Sequence, residues 1–239
     1  MASSSDSEDS CSEDSCSEDS CSEDSELSQF SNVDELKTAL RSCLEAVDSG
    51  GSFATSGRCD TINPGLVVDG LGSFGLPLSE PEAQRLIGSS RQAPFGKGSE
   101  TIVDTAVRNT WEIDASRLKL CNPKWPETER RILDKVCQGL GVHGGVTYVA
   151  AQLYKLLIYQ EGAMFKPHKD TEKTPRMFGT MVICLPSLHT GGDLVASFNG
   201  KNQVHSSSLD SEWLGSFTAW YADVLHEVGR RLCIACYPY

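Results

Sequence analysis

After Gly145 the chain breaks into short segments that a helical fold cannot use. Stretches 146–159, 178–185, 193–198, 203–206, 216–224 and 231–237 are β-branched or aromatic, and Gly, Pro, Asn and Ser separate them. Segments of that length and spacing predict an antiparallel sandwich or barrel. Each strand must bury a face, so this half has to close on itself or on another layer.

The first half has a different period. Val33, Leu36, Leu40, Cys43, Leu44 and Val47 fall at helical spacing. Asn32 and Glu35 are placed as a capping box, and Gly50-Gly51 ends the segment. A second helix is predicted over Glu80 to Ile87, capped by Ser79 with Glu82 at the third position. A third is predicted over Glu127 to Leu140, with a stripe of Ile132, Leu133, Val136, Cys137 and Leu140. Each stripe reads as core packing. The expected fold is mainly β with flanking helices (α+β). Residues 31–239 are expected to form one domain, with helical support over 31–145 and a β core over 146–239.

Residues 1–30 have no such period. Ser7-Glu8-Asp9-Ser10-Cys11 recurs as Ser12–Cys16 and Ser17–Cys21. A repeat without apolar residues cannot bury a core and reads as a disordered acidic tail. Its serines beside acids suit acidophilic kinases. The formal net charge of −12 belongs mostly to this tail, because without its ten acidic residues 23 acids face 21 bases. The low isoelectric point therefore carries no nucleic-acid signal, for or against. No apolar stretch reaches eighteen residues, and the start has neither a basic nor an apolar signal-peptide region. The expectation is no membrane span, a cytoplasmic or nuclear location, and cysteines held as thiols.

The chemistry concentrates in Tyr159-Gln-Glu-Gly-Ala-Met-Phe-Lys-Pro-His168-Lys-Asp170. On an extended segment His-x-Asp presents both side chains on one face. A third ligand has to come from a distant strand, and His226 in Trp220-Tyr-Ala-Asp-Val-Leu-His226 is the candidate. Two imidazoles and a carboxylate on one face of a metal leave positions open for other ligands. Fe(II) suits them, and so does zinc. His143, His189 and His205 sit in Gly- or Ser-rich loops and read as non-ligands. Cys233 and Cys236 form a C-x-x-C without a second pair, so shared zinc ligation is not expected. Arg108, Asn109 and Trp111 read either as the rim of a substrate mouth or as structural packing.

The string Tyr-x2-Gly-x2-Phe-x-Pro-His-x-Asp, the later Gly191-Gly192-Asp193-Leu194 and the terminal His-Glu-Val-Gly-Arg-Arg together resemble the prolyl 4-hydroxylase-like branch of the 2-oxoglutarate/Fe(II) dioxygenases. The likeness covers roughly residues 31 to 239 and is greatest to uncharacterised fungal members. It implies a double-stranded β-helix (jelly roll), Fe(II), 2-oxoglutarate and O2, with ascorbate as a candidate reductant. It also implies His168, Asp170 and His226 as metal ligands and a protein or small-molecule substrate. Arg231 matches the family's basic residue for the far carboxylate of 2-oxoglutarate, a task suited to a guanidinium fork. Tyr154, ranked above Tyr159, would add a hydroxyl donor.

One spacing departs from the pattern. Arg231 follows His226 by five residues, about half the family's interval, so Val228-Gly229 would have to make the whole turn into the last strand. Three readings follow: a dioxygenase, a jelly-roll binding module that keeps metal but has lost 2-oxoglutarate binding, and a cupin-like metal protein without that co-substrate.

Overall fold

The computed structural model describes residues 32–46, 50–59, 63–97, 100–232 and 236–238, and the side chains of 45, 97, 100, 231, 232 and 236–238 are not described. The expected acidic tail, residues 47–49 and Cys233 lie outside the described residues. The chain divides into two compact units, Met1–Asp48 and Ser49–Tyr239.

The described part of the first unit is helix α1, Val33–Ala46. Asn32 caps it, its Oδ1 accepting the backbone N–H of Asp34 and of Glu35. Its apolar stripe does not form a core: Val33, Leu36, Leu40 and Leu44 are all exposed.

The second unit begins with β1 (Ala54–Cys59), β2 (Leu66–Val68), β3 (Gly72–Ser73) and helix α2 (Glu80–Gly88). Strands β4 (Arg91–Gln92), β5 (Phe95–Lys97), β6 (Glu100–Ile102), β7 (Trp111–Asp114) and β8 (Leu118–Leu120) precede helix α3 (Trp125–Leu140). Then come β9 (Lys155–Ile158), β10 (Ala163–His168), β11 (Gly179–Cys184), β12 (Thr190–Gly191) and β13 (Leu194–Phe198). The chain continues with β14 (Lys201–His205), β15 (Gly215–Tyr221), β16 (Leu225–Leu232) and β17 (Cys236–Pro238). No helix among the described residues is long and apolar enough to cross a membrane.

Two antiparallel sheets hold most of these strands, and β3-β2-β8 and β5-β6 form two minor ones. The larger runs β1-β15-β11-β17-β9-β7-β4, and the smaller runs β10-β16-β13-β14 with β12 beside β16. From β9 onward the chain passes back and forth between them. Strands β9, β11, β15 and β17 go to the larger sheet, and β10, β13, β14 and β16 to the smaller. That connectivity is a double-stranded β-helix, as expected.

The two faces of the larger sheet bury different cores. Leu156, Ile158, Met181, Ile183, Phe217 and Ala219 pack on one side with Leu86 of α2 and Ile132, Val136 and Leu140 of α3. The alternate residues turn inward. Leu157, Tyr159 and Cys184 meet Ala163, while Trp220 meets Ala54, Leu194, Ala196 and Val224. Helix α3 lies so close to β1 that a Cβ on Gly139 would come within 2.2 Å of Thr55 Oγ1. At the start of α2 the Glu82 carboxylate accepts the backbone N–H and the hydroxyl of Ser79, as its capping pattern predicts.

The first half is not only helical. Strands β1, β4 and β7 extend the larger sheet on both sides of the jelly-roll strands. Strands β4 and β7 are short, and β1 (Ala-Thr-Ser-Gly-Arg-Cys) shows no alternation of apolar and polar residues to register as a periodic segment. The predicted strand over 146–159 contracts to Lys155–Ile158. The C-terminus differs most. The chain does not turn at Val228-Gly229, because β16 runs unbroken from Leu225 to Leu232. Arg231 therefore lies on the same strand as His226.

Ile183 is fully buried against the helices and faces away from the small sheet. Ile183→Ala is expected to cost about 2–5 kcal/mol of unfolding free energy in chemical denaturation.

Candidate metal centre

Strands β10 and β16 bring the two histidines together. His168 stands directly opposite His226 in their antiparallel register, and Phe165 opposite Val228. Two residues lie between Phe165 and His168 and only one between His226 and Val228, so β10 carries one extra residue here. Pro167 lies in that interval. It has no N–H to offer a ladder, which fits a bulge. In a regular strand positions i and i+3 face opposite sides. The bulge puts both on one face, where the Phe165 and His168 rings stack with centroids 3.5 Å apart.

Asp170 lies two residues beyond the end of β10. One atom each from His168, Asp170 and His226 lie within 4.8 Å of one another. His226 Nε2 is 3.7 Å from Asp170 Oδ2, too far for a hydrogen bond. The two imidazole centroids are 4.1 Å apart. The sequence-predicted triad is therefore assembled.

Each side chain of the cluster is oriented by a further contact. His168 Nδ1 is 2.9 Å from the Lys166 carbonyl, and His226 Nδ1 is 3.1 Å from the Val224 carbonyl. A ring nitrogen facing a carbonyl carries the proton, which leaves both Nε2 atoms with lone pairs. Neither Nε2 has a hydrogen-bond partner among the described residues. Asp170 Oδ2 accepts from Thr180 Oγ1 at 2.7 Å and from Trp220 Nε1 at 3.1 Å. Thr180 and Trp220 are themselves direct cross-strand partners on β11 and β15. Two donors on one oxygen fix the carboxylate and leave Oδ1 open. Sequence reading missed both donors. Their only sequence signal is inward parity at the ends of two strands.

Burial pushes the His168 pKa from the usual 6.5 down to about 4, and the adjacent His226 adds to the shift. Burial also lowers His226. Both rings are therefore neutral at pH 7, the form that binds metal. Neutral imidazoles with free Nε2 atoms and one anchored carboxylate fit a divalent transition metal such as Fe(II), and the set also suits zinc.

The remaining expected residues are distributed unevenly. Tyr154 is 40 % exposed, with the Lys155 ammonium 4.5 Å from its ring centre. It sits at the surface and not among the inward residues, so its higher rank is reversed. Strand alternation explains this: Leu157 and Tyr159 face inward and Tyr154 has the opposite parity. Tyr159 is 4 % exposed and packs with Leu157, Ala163 and Cys184 in the barrel interior. Arg231 stands opposite Ala163 on β10 and Gly191 on β12. Its side chain lies outside the described residues. His189 is buried and satisfied by the Ser187 carbonyl and Ser207 Oγ, and His205 bonds Ser56 Oγ. Neither belongs to the cluster, as expected. Trp111 donates from Nε1 to Gln160 Oε1 at 2.5 Å, and the Asn109 carbonyl oxygen accepts from Gln92. Both side chains are thus hydrogen-bonded within the protein.

No protein-family model and no curated protein matches this chain. Among solved structures it is similar to a prolyl-4-hydroxylase from Pseudomonas putida, at 18 % identity and a TM-score of 0.45, over 84 % of this chain and 96 % of that one. It is also similar to an oxidoreductase of the 2OG-Fe(II) oxygenase family from Burkholderia pseudomallei, at 16 % identity and 0.37, over 73 % and 84 %. A third is a Trichoplax adhaerens prolyl hydroxylase in complex with a hypoxia inducible factor oxygen degradation domain peptide fragment, at 10 % and 0.45, over 87 % and 91 %.

Two outcomes are expected. Thr180→Val should leave the fold intact but weaken Mn(II) binding about 10–100-fold in calorimetry, as losses of ligand-orienting contacts do. The second concerns pH. Because the folded-state His168 pKa is depressed, the unfolded chain binds more protons between about pH 6.5 and 4, and the stability of the metal-free protein falls as pH drops through that window. His168→Gln should flatten that fall in thermal denaturation measured across the range.

Proposed function

We propose that the Ser49–Tyr239 unit is an Fe(II)- and 2-oxoglutarate-dependent oxygenase acting on a C–H bond of a protein side chain or a small molecule. The observation that carries this reading is the cluster of two free imidazole Nε2 atoms and one anchored carboxylate inside a double-stranded β-helix. Bound Fe(II), with 2-oxoglutarate and O2, would supply the oxidation, with succinate and CO2 as co-products.

The chain's own residues have definite tasks in this reading. His168, Asp170 and His226 hold the metal on one side and leave the opposite side for ligands. The carbonyls of Lys166 and Val224 keep the imidazole protons away from the metal. Thr180 and Trp220 hold the Asp170 carboxylate in one orientation. Leu157, Ala163 and Val228 keep water from the interior. Arg231 supplies the cation for the far carboxylate of 2-oxoglutarate, and Tyr159 adds a hydroxyl contact. The position of Arg231 on the His226 strand keeps a second reading alive, a metal-retaining module that does not bind 2-oxoglutarate.

Anaerobic titration with Fe(II) and then 2-oxoglutarate separates the two. The oxygenase reading expects a weak visible charge-transfer band that needs both components, is absent in His168→Ala and is weakened in Arg231→Ala. Metal binding without the band would favour the non-catalytic module.

A further inference from the structure

Arg108 is a second cation close to the metal cluster, and no acid among the described residues pairs with it. Its backbone bridges Phe165, and Phe165 pairs in turn with Val228 and Val228 with Leu194. Cross-strand partners share a face, and Phe165, Val228 and Leu194 are buried or packed against the interior clusters. Arg108 thus extends that inward row at the edge of the small sheet. It is 8 % exposed, and its guanidinium carbon lies 4.5 Å from the centre of the Phe165 ring, the ring that stacks on His168.

The guanidinium is poorly satisfied. Nη1 donates to the Pro94 carbonyl at 2.7 Å, and Nε is buried without a partner. The one buried acid nearby is committed elsewhere: Glu112 holds Arg91 at 2.9 Å and Lys155 at 2.5 Å. A buried cation with open donors and no counter-charge is costly unless a ligand supplies the anion. A guanidinium fork matches the two oxygens of a carboxylate.

We infer that Arg108 anchors a carboxylate of a small-molecule ligand held beside the His168, Asp170 and His226 cluster. The inference rests on the oxygenase reading for the ligand's setting, and deepens it. The carboxylate comes from one of two sources: the far end of the 2-oxo acid, which Arg108 would then hold together with or in place of Arg231, or an acid group of the substrate.

The test uses the full chain loaded with Mn(II), which binds without turnover. Wild type, Arg108→Gln and Arg108→Lys are titrated calorimetrically with 2-oxoglutarate and with 2-oxovalerate, which lacks the far carboxylate. Succinate is then titrated into the 2-oxoglutarate-loaded protein. If the co-substrate is the source, Arg108→Gln weakens 2-oxoglutarate tenfold or more and leaves 2-oxovalerate unchanged. If the substrate is the source, both 2-oxo acids bind as in wild type and succinate binding is lost. In either case Arg108→Lys, which keeps the charge but not the fork, falls between, and it decides alone should Arg108→Gln fail to fold. Wild-type affinity for all three acids in both variants overturns the inference, as does equal weakening of both 2-oxo acids. If wild type binds neither Mn(II) nor a 2-oxo acid, the oxygenase reading fails. Succinate binding to the metal-free protein, lost in Arg108→Gln, would then still uphold the carboxylate site, and its absence in wild type would overturn it.

Discussion

The antiparallel pairing of β10 with β16 is the constraint on which the candidate centre depends. It sets His168 opposite His226 from strands far apart in sequence, and no local contact could do that. The pairing is not regular. One extra residue at Pro167 and a second register shift between Val228 and Arg231 interrupt the ladder. The first irregularity aims Phe165 and His168 at the same interior. A bulge that breaks a ladder is a local loss of hydrogen bonds. Here it is also what converts two strands into a site.

The larger sheet completes the arrangement from the other side. Thr180 and Trp220, cross-strand partners, both reach Asp170 Oδ2. Each such bond to a charged carboxylate contributes about 1.5–3 kcal/mol net, and the pair also fixes its direction. What keeps them in place is the apolar layer behind the sheet. Ile183, Phe217 and Ala219 alternate with the inward residues of β11 and β15 and pack under α2 and α3. The helices never touch the cluster, yet they fix the strands that orient it.

Much of this was legible in the sequence, for reasons that differ by element. The strands after Gly145 were readable because half-buried strands alternate and turn residues separate them. The helices were readable from stripe and cap, as at Ser79 and Glu82. His168, Asp170 and His226 were readable because their setting resembles a known family, since His-x-Asp alone is common by chance. Strands β1, β4 and β7 were not, because their placement is decided by pairing with distant strands such as β15 and β9. The turn expected at Val228-Gly229 failed for the same reason. Pairing of Val228 with Leu194 and of Leu232 with Thr190 holds β16 extended past that point. Tyr154 and Tyr159 could not be ranked from composition, and strand parity decides between them. The α1 stripe had the right period, but period alone does not say that a face is covered.

The two hydrogen bonds on Asp170 have a thermodynamic corollary. The histidines belong to the small sheet, while the groups that steer the carboxylate belong to the large one. A bound ion would thus be coordinated by one layer and oriented by the other. Any fluctuation that parts the layers degrades the coordination sphere before it disrupts either sheet. Occupancy of the centre would then be linked to closure of the sandwich as a whole, so that ion binding and layer cohesion reinforce each other.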